Sequence, residues 1–380
     1  MSYLKLNDRA VIIESGGDTV LICDSFDYNQ LIITGADSDP LLPADYFTNY
    51  FGFTQGVSTG YTTGGWTGST QSNAIDKFSF VADGNATDIG NLTIGRNGVV
   101  GNYSKTDGFT SGGYTGSPPG AGPWAYSKVV DKFPFSSDDN ASDAGDLHTA
   151  VSIASSSTSP THGYVTGGNY VSSFYIINRI QKFPFSSFTT AEHSADLSSY
   201  HTFAEGNQST THGYRSGGRS GRPFSPPSLI YPQFDNMDKF PFAVDADATD
   251  IGDLIPGIRS EMAGQSSVND GYLTTGAISD NLNEFPYTPA QRVITKFPFA
   301  TDAPNAFVGN LHPTANQAQA TGHSSVTHGY VSGGRTVSPG PSYNSIAVNK
   351  IFKFPFVNDA SGDDIADLNT ARMQVAGIQA

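Results

Sequence analysis

Two kinds of residue in this sequence have the types and spacing for chemistry: carboxylates in short acidic runs, and histidines in recurring Thr-His-Gly triplets. Asp245, Asp247, Thr249 and Asp250 alternate with small residues, and Asp138, Asn140, Ser142 and Asp143 do the same. Oxygen ligands in alternation suit calcium, which takes six to eight of them. The helix-loop-helix form of such a site needs Gly at its sixth position and Glu at its twelfth, and neither run has them. Asx turns joining two strands account for the same residues, because Asp and Asn bond their own backbone two residues on. His162, His212 and His328 stand at equivalent turn positions of separate repeats. They are therefore spread apart, and each reads as a turn residue bonding its own loop.

Other chemistry finds little support. No Gly-x-Ser-x-Gly nucleophile elbow, phosphate-binding loop or His-Glu-x-x-His motif occurs. The single cysteine, Cys23, excludes a disulfide within the chain and a Cys metal cluster. It reads as a buried apolar strand residue. The formal charge of −15 disfavours nucleic acid, whose phosphates an acidic surface repels. Met1 to Leu6 is not followed by a long apolar run, so neither a signal peptide nor a membrane span is expected. No cofactor is expected, and the chain reads as a non-enzyme.

The elements that hold these residues follow from a repeat. Lys353-Phe354-Pro355-Phe356 has near copies starting at Lys77, Lys132, Lys182, Lys239 and Lys296, spaced 55, 50, 57, 57 and 57 residues apart in order. Each copy is preceded by an X-Gly dipeptide, an aromatic residue and a Gly pair, as in His328-Gly329-Tyr330-Val331-Ser332-Gly333-Gly334, except that Asp270 to Gly276 keeps one glycine of the pair. The X-Gly dipeptide reads as a hairpin turn. The Gly pair reads as a close approach of backbones. Phe at i and i+2 shares one strand face, and Pro marks a bulge or the end of pairing. The Lys on the other face is placed to pair with the acidic turn that follows it. That turn leads to a short strand ending in Leu92, Leu147, Leu197, Leu254, Leu311 or Leu368, and then to small residues such as Ser152 to Ser155 or Gln317 to Ala320.

Four short strands per unit cannot bury both faces alone, whereas radial stacking of six units does. The expected fold is all-β: a six-bladed β-propeller over residues 51–380, with a small β segment over residues 1–50. The order of parts resembles the kelch repeat, most specifically in the Gly pair after an aromatic-containing strand. It departs from kelch in lacking Trp on the last strand, where Ile89, Ala144, Ile251 or Ile365 stands, and in having Phe-Pro-Phe for the usual Tyr-Asp strand. Met373 to Gly377 matches the small-residue strand of the other units without a Gly-pair strand after it, so it should complete the first blade beside Ser58 to Gly65. Gly52 to Gln55 competes for that place. His201 and His323, in or near predicted inner strands, would line the channel. Some kelch-type propellers are copper-radical oxidases, but these need a Cys-Tyr crosslink near the axis, and Cys23 lies outside the ring. Sialidase-like propellers need an Arg triad, and arginine is sparse here.

The segments between the Gly pair and the Lys-Phe-Pro-Phe strand run 11 to 20 residues and differ from unit to unit. Their aromatic residues and prolines suit a contact surface, since rigid rings lose little entropy on binding. The binding candidates are Tyr114, Trp124, Tyr126, Arg222, Phe224, Tyr231, Phe285, Tyr287 and Tyr343. Mutual covering of the loops is the plainer reading of the same residues. In the first 50 residues, Ala10 to Glu14 and Thr19 to Cys23 flank a Gly-Gly turn and read as a hairpin, with Leu31 to Thr34 as a third strand. The tandem repeats resemble structural proteins of marine tailed phages of the cyanophage type. That resemblance implies a virion protein, oligomeric in its assembly. Its first 50 residues would dock on other virion proteins, and its propeller would meet a host-surface glycan or protein, or neighbouring subunits. An intracellular kelch-type scaffold is the alternative, and a glycan-active enzyme the third.

Overall fold

The computed structural model describes residues 3–6, 10–15, 18–23, 55–116, 125–170, 175–187, 190–219, 234–254, 259–278, 291–313, 316–337, 345–358 and 360–380. The chain divides into two compact units, Met1–Thr48 and Asn49–Ala380. In the first unit, Tyr3–Leu6, Ala10–Ser15 and Asp18–Cys23 form a three-stranded antiparallel sheet in that order. The expected Gly-Gly hairpin is present, with Ser15 opposite Asp18. Its further strand is Tyr3–Leu6, which precedes it. Leu31 to Thr34 lies outside the described residues.

The second unit is a β-propeller of six four-stranded antiparallel sheets. From axis to rim, blade 1 joins Ala376–Gln379, Thr59–Thr63, Ala74–Ser79 and Thr87–Asn91. Blade 2 joins Val100–Tyr103, Asp107–Ser111, Val129–Pro134 and Ser142–Asp146, and blade 3 joins Ser155–Thr158, His162–Thr166, Arg179–Pro184 and Glu192–Asp196. Blade 4 joins Glu205–Gln208, His212–Ser216, Asn236–Pro241 and Thr249–Asp253. Blade 5 joins Ala263–Ser266, Asp270–Thr274, Val293–Pro298 and Ala306–Asn310, and blade 6 joins Thr321–Ser324, His328–Ser332, Lys350–Pro355 and Asp363–Asp367. Each inner strand contacts the next, and the last contacts the first, so the ring is closed. The C-terminal strand closes it, with Ala376 opposite Thr63 and Gln379 opposite Gly60. The strand begins three residues later than Met373, and the other small-residue strands are displaced similarly, to Ser155–Thr158 and Thr321–Ser324. Short runs of Ser, Ala and Gln lack the apolar alternation that would fix a boundary.

The aromatic strand packs the ring. In every blade the glycine of the X-Gly pair lies opposite the first Phe, as Gly271 does to Phe297, and a side chain on Gly271 would overlap the Phe297 ring. This corrects the hairpin-turn reading: the glycine is the second residue of a strand and leaves room for a ring. The turn comes one step earlier, where Ser159 Oγ accepts from the N–H of His162 at 3.0 Å. The aromatic residue after that glycine then stacks on the Phe pair of the next blade. Tyr61 sits 5.1 Å from Phe135, Phe109 4.9 Å from Phe185 and Tyr164 4.8 Å from Phe242. Tyr214 sits 4.9 Å from Phe299, Tyr272 4.7 Å from Phe356 and Tyr330 4.5 Å from Phe80, which completes the circle. Such pairs contribute about 0.5–1.5 kcal/mol each beyond the burial of their area. The five prolines of the motif, Pro134, Pro184, Pro241, Pro298 and Pro355, are each the last residue of their strand. There the missing N–H costs the ladder least.

The acidic turns hold adjacent blades together. Lys77 pairs with Asp138 at 2.7 Å, Lys182 with Asp245 at 2.8 Å, Lys239 with Asp302 at 2.7 Å and Lys353 with Asp83 at 3.0 Å. Each lysine therefore reaches the turn of the following blade, not the turn that follows it in sequence. Lys132 instead meets Asp107 of its own blade at 3.3 Å, because the turn of blade 3 (Ser186, Ser187, Phe188, Thr189) has no carboxylate. Other oxygens of the same turns accept backbone N–H groups of the preceding blade: Asn140 from Asn91, Asp247 from Asp196, and Asn85 from Asp367. Of the residues that resembled calcium ligands, Asp138, Asn140, Asp245 and Asp247 thus bind the neighbouring blade, and Asp143, Thr249 and Asp250 bond within their own.

Candidate functional site

Because inner strands run outward from the Gly-pair end, the two rims of the ring differ. One rim carries the short turns with Lys–Asp pairs. The other carries the Gly pairs, from which the long segments depart. At this loop rim six residues hold left-handed backbone: Gly98 (φ 66°), Ile153 (52°), Phe203 (55°), Glu261 (60°), Gln319 (56°) and Gln374 (55°). They form a closed circle of backbone hydrogen bonds. Ile153 N–H donates to Gly98 O at 2.8 Å, Phe203 to Ile153 at 3.2 Å, and Glu261 to Phe203 at 2.9 Å. Gln319 then donates to Glu261, Gln374 to Gln319 and Gly98 to Gln374, each at 2.9 Å. A left-handed conformation is unusual for any non-glycine residue and most so for β-branched Ile153. The circle explains why five such residues persist.

A second circle lies just outside it. The N–H of each second glycine of the Gly pairs donates to the next blade, as Gly113 does to Val151 O at 2.8 Å and Gly334 to Arg372 O at 2.7 Å. The Gly64–Gly65 pair has φ of 62° and 104°, and a side chain on Gly64 would meet Arg96 O. Thr275 takes the first place of this pair in blade 5 at φ 59°.

Inside the circles, the inner strands enclose an axial cavity of about 880 Å³, its open mouth included. Its lining runs from the left-handed circle to Tyr103, at the far end of the inner strands. There Gln208 and Gln379 both donate to Tyr103 Oη, at 2.9 and 2.8 Å. Burial pushes the Tyr103 hydroxyl well above the usual phenol range. One carboxyl, Glu205, lies on the first step of an inner strand where the other blades have Val100, Ser155, Ala263, Thr321 and Ala376. Burial pushes it up to about 8, with the Gly206 and Gly264 N–H groups drawing it partly back.

The remaining buried charges are tied to the frame. Arg96 meets Asp131 at 2.8 Å, Arg372 meets Asp76 at 2.8 Å and Arg215 meets Asp238 at 2.6 Å. In blades 1 and 2 the arginine comes from the loop before the inner strand. In blade 4 that place is His201, and Arg215 reaches the same aspartate position from the second strand. Arg259 of blade 5 meets Thr295 instead, at 2.9 Å, and burial without a carboxylate lowers its guanidinium to about 10. Glu261 lies between Arg219 at 2.7 Å and Arg335 at 2.6 Å. Burial would raise its carboxyl, and the two guanidiniums outweigh burial and hold it below its ordinary value.

The histidines do not line the axis. His162, His212 and His328 each bond the preceding threonine hydroxyl, at 2.8, 2.8 and 2.7 Å, as turn residues do. His323 turns between blades 6 and 1, where its ring bonds Ser332 Oγ at 2.8 Å and Ile378 O at 3.1 Å. His201 stays in the loop before its inner strand, against Phe234 and 2.6 Å from Ser199 Oγ. Burial, then Arg215, lowers its imidazole to about 2.

Of the loop candidates, Tyr114 and Tyr126 are brought together, with ring centroids 4.7 Å apart and hydroxyls 3.1 Å apart. Tyr114 is buried and also accepts from Asn169 Nδ2 at 3.3 Å, so it braces the rim of blades 2 and 3. Trp124, Arg222, Phe224, Tyr231, Phe285, Tyr287 and Tyr343 lie outside the described residues. Sequence reasoning missed Tyr170 and Tyr175, an exposed cross-strand pair on a hairpin of the loop rim, and Tyr200, exposed in the loop leading to blade 4. The spacing of Tyr170 and Tyr175 around Val171-Ser172-Ser173-Phe174 was their only signal. Glu205 had none beyond being the sole acid at its repeat position.

Comparison with known protein families found no matching family model, and comparison with curated proteins found no match. Among the described residues no helix is long and apolar enough to cross a membrane.

Proposed function

We propose that this chain is a non-enzymatic attachment and structural component of a virus particle. Its N-terminal unit docks on other virion proteins, and its loop rim meets a host-surface glycan or protein, or neighbouring subunits. The observation that carries the reading is the contrast between a uniform turn rim and a loop rim whose segments differ from blade to blade. Gly56 N–H donates to Ser324 O at 2.7 Å and Val57 N–H to Ala380 O at 2.8 Å, so the chain joins the ring at its turn rim. The opposite rim is where sequence and length vary most between blades. The kelch-like order of parts and the likeness to phage structural repeats favour the same reading. The buried acids Asp76, Asp131, Asp238 and Glu261 are each paired with arginine, which suits a scaffold better than acid–base catalysis.

Electron cryo-microscopy of the native source tests it. The chain should occur in symmetric copies on a particle, with its first 50 residues against other particle proteins. A chain begun at residue 51 that still joins particles would refute the docking role. Recovery only as a free monomer bound to cytosolic protein would favour the intracellular scaffold instead.

A further inference from the structure

The axial cavity has a chemistry that the attachment reading does not use. In each hairpin of inner and second strands, hydrogen-bonded and non-bonded pairs alternate. The turn fixes the phase: Ser104 N–H donates to Asp107 O, Ser159 to His162 O and Ser325 to His328 O, and Ala380 to Thr59 O. Counting back, the second residue of each inner strand is in a non-bonded pair. Gly101, Ser156, Gly206, Gly264, Gly322 and Gly377 therefore turn their N–H and C=O away from their own blade, towards the axis. Their contacts agree. Ser156 Oγ donates to Gly101 O at 2.8 Å, and a side chain on Gly206, Gly264, Gly322 or Gly377 would overlap the carbonyl oxygen of the preceding blade's equivalent residue. The carbonyls thus run around the circle into the next blade's Cα–H, a weak but recurring contact. The N–H groups are left as the polar groups facing the cavity.

Two of these donors, Gly206 and Gly264, meet a carboxyl supplied by the chain itself, Glu205. The absent side chain of Gly264 makes its room: a Cβ there would lie 2.8 Å from Glu205 Cγ and 3.0 Å from Oε1. The equivalent N–H groups of blades 6, 1, 2 and 3, on Gly322, Gly377, Gly101 and Ser156, receive no side-chain acceptor among the described residues. We infer that this arc of four N–H groups is a binding site for a carboxylate, either a small free acid or an acidic group of a partner chain reaching down the axis. On the other side of the same circle Glu205 shows that a carboxyl group fits against two such donors, which draw its pKa partly back against burial. Held protonated at neutral pH, it adds no repelling charge, and above its pKa it would repel the ligand.

The test uses the full-length chain, titrated with sodium acetate against sodium chloride at equal ionic strength, with the amide resonances of the four residues as readout. Saturable shifts of Gly101, Ser156, Gly322 and Gly377 with one dissociation constant are expected. Affinity should fall about tenfold per pH unit above the Glu205 pKa. Glu205→Gln, nearly the same shape, should bind acetate without that fall. A short peptide with a free C-terminal carboxylate, compared with its amide, tells a partner's acid from a free one. Absence of saturable shifts, an equal response to chloride, or the same pH fall in Glu205→Gln would each overturn the assignment.

Discussion

The turn rim and the loop rim of the ring are built from the same six repeats and solve different problems. At the turn rim the connections are nearly uniform, and lysine and aspartate link blades 1, 3, 4 and 6 each to the next. At the loop rim, uniformity is confined to the inner circles, whose left-handed residues and glycine pairs close the ring through backbone hydrogen bonds, with side-chain bridges such as Glu261 to Arg219 and Arg335 added at single blades. Outside those circles the segments diverge in length and content. Closure by backbone frees the side chains of this rim from holding the ring, so they can vary without loss of the fold.

The largest break in this comparison should come from the closing strand. Ending the chain after Leu368 removes Arg372, Gln374 and the inner strand of blade 1, and with them both circles at the loop rim. Stability of an ordinary domain is only about 5–15 kcal/mol, so cooperative unfolding by circular dichroism should be lost. Retention of the normal transition would show that the turn rim alone holds the ring. Next in size, Gly271→Ala drives a methyl into the Phe297 ring and should cost about 1–3 kcal/mol in denaturant unfolding. Gly84→Ala, on a turn with open space around it, should be nearly neutral. Thr295→Asp sharpens the contrast in the other direction. It gives Arg259 the carboxylate that Arg96 and Arg372 have, and should stabilise by about 1–3 kcal/mol, the range for a charged hydrogen bond.

Acid titration of unfolding addresses Glu205. The folded state holds its proton up to about 8, while the unfolded chain releases it near the ordinary 4.5. Between those values the unfolded state binds fewer protons, so this group makes stability decline as pH rises, and the decline ends above about 8. Glu205→Gln should remove that component. Smallest is the surface: Lys353→Ala should cost no more than about 1 kcal/mol, because exposed pairs contribute little. Replacing residues 117–124 with a Gly-Ser link should change stability by less than about 0.5 kcal/mol. If the loop rim is the contact surface, the same replacement should weaken attachment in a particle-binding assay.

Much of this frame was legible in the sequence because its signals are local and repeated. The spacing of Lys-Phe-Pro-Phe sets the blade count, and the unmatched run near Met373 predicts closure. What was not legible depends on neighbours about one repeat away. The lysines pair one blade onward, and the glycine before each aromatic residue reads as a turn until the Phe lying across it is seen. His323 reads as channel-lining because strand alternation alone does not say which face meets the next blade. The candidate site was legible least. Tyr114 was found as a loop aromatic and serves as a brace, while Glu205 differs from its repeat equivalents by one residue in an otherwise unremarkable strand.

Blade 1 takes its inner strand, Ala376–Gln379, from the far end of the propeller sequence. During synthesis, five blades can assemble in order as they leave the ribosome, while Thr59–Thr63 waits with a bare edge for Ala376–Gln379, its partner from the far side of those five blades. The nascent chain is therefore an open arc with two adhesive ends for most of its production. A second unfinished chain offers the same complementary ends, so crowded polysomes are where strand exchange between copies would compete with closure.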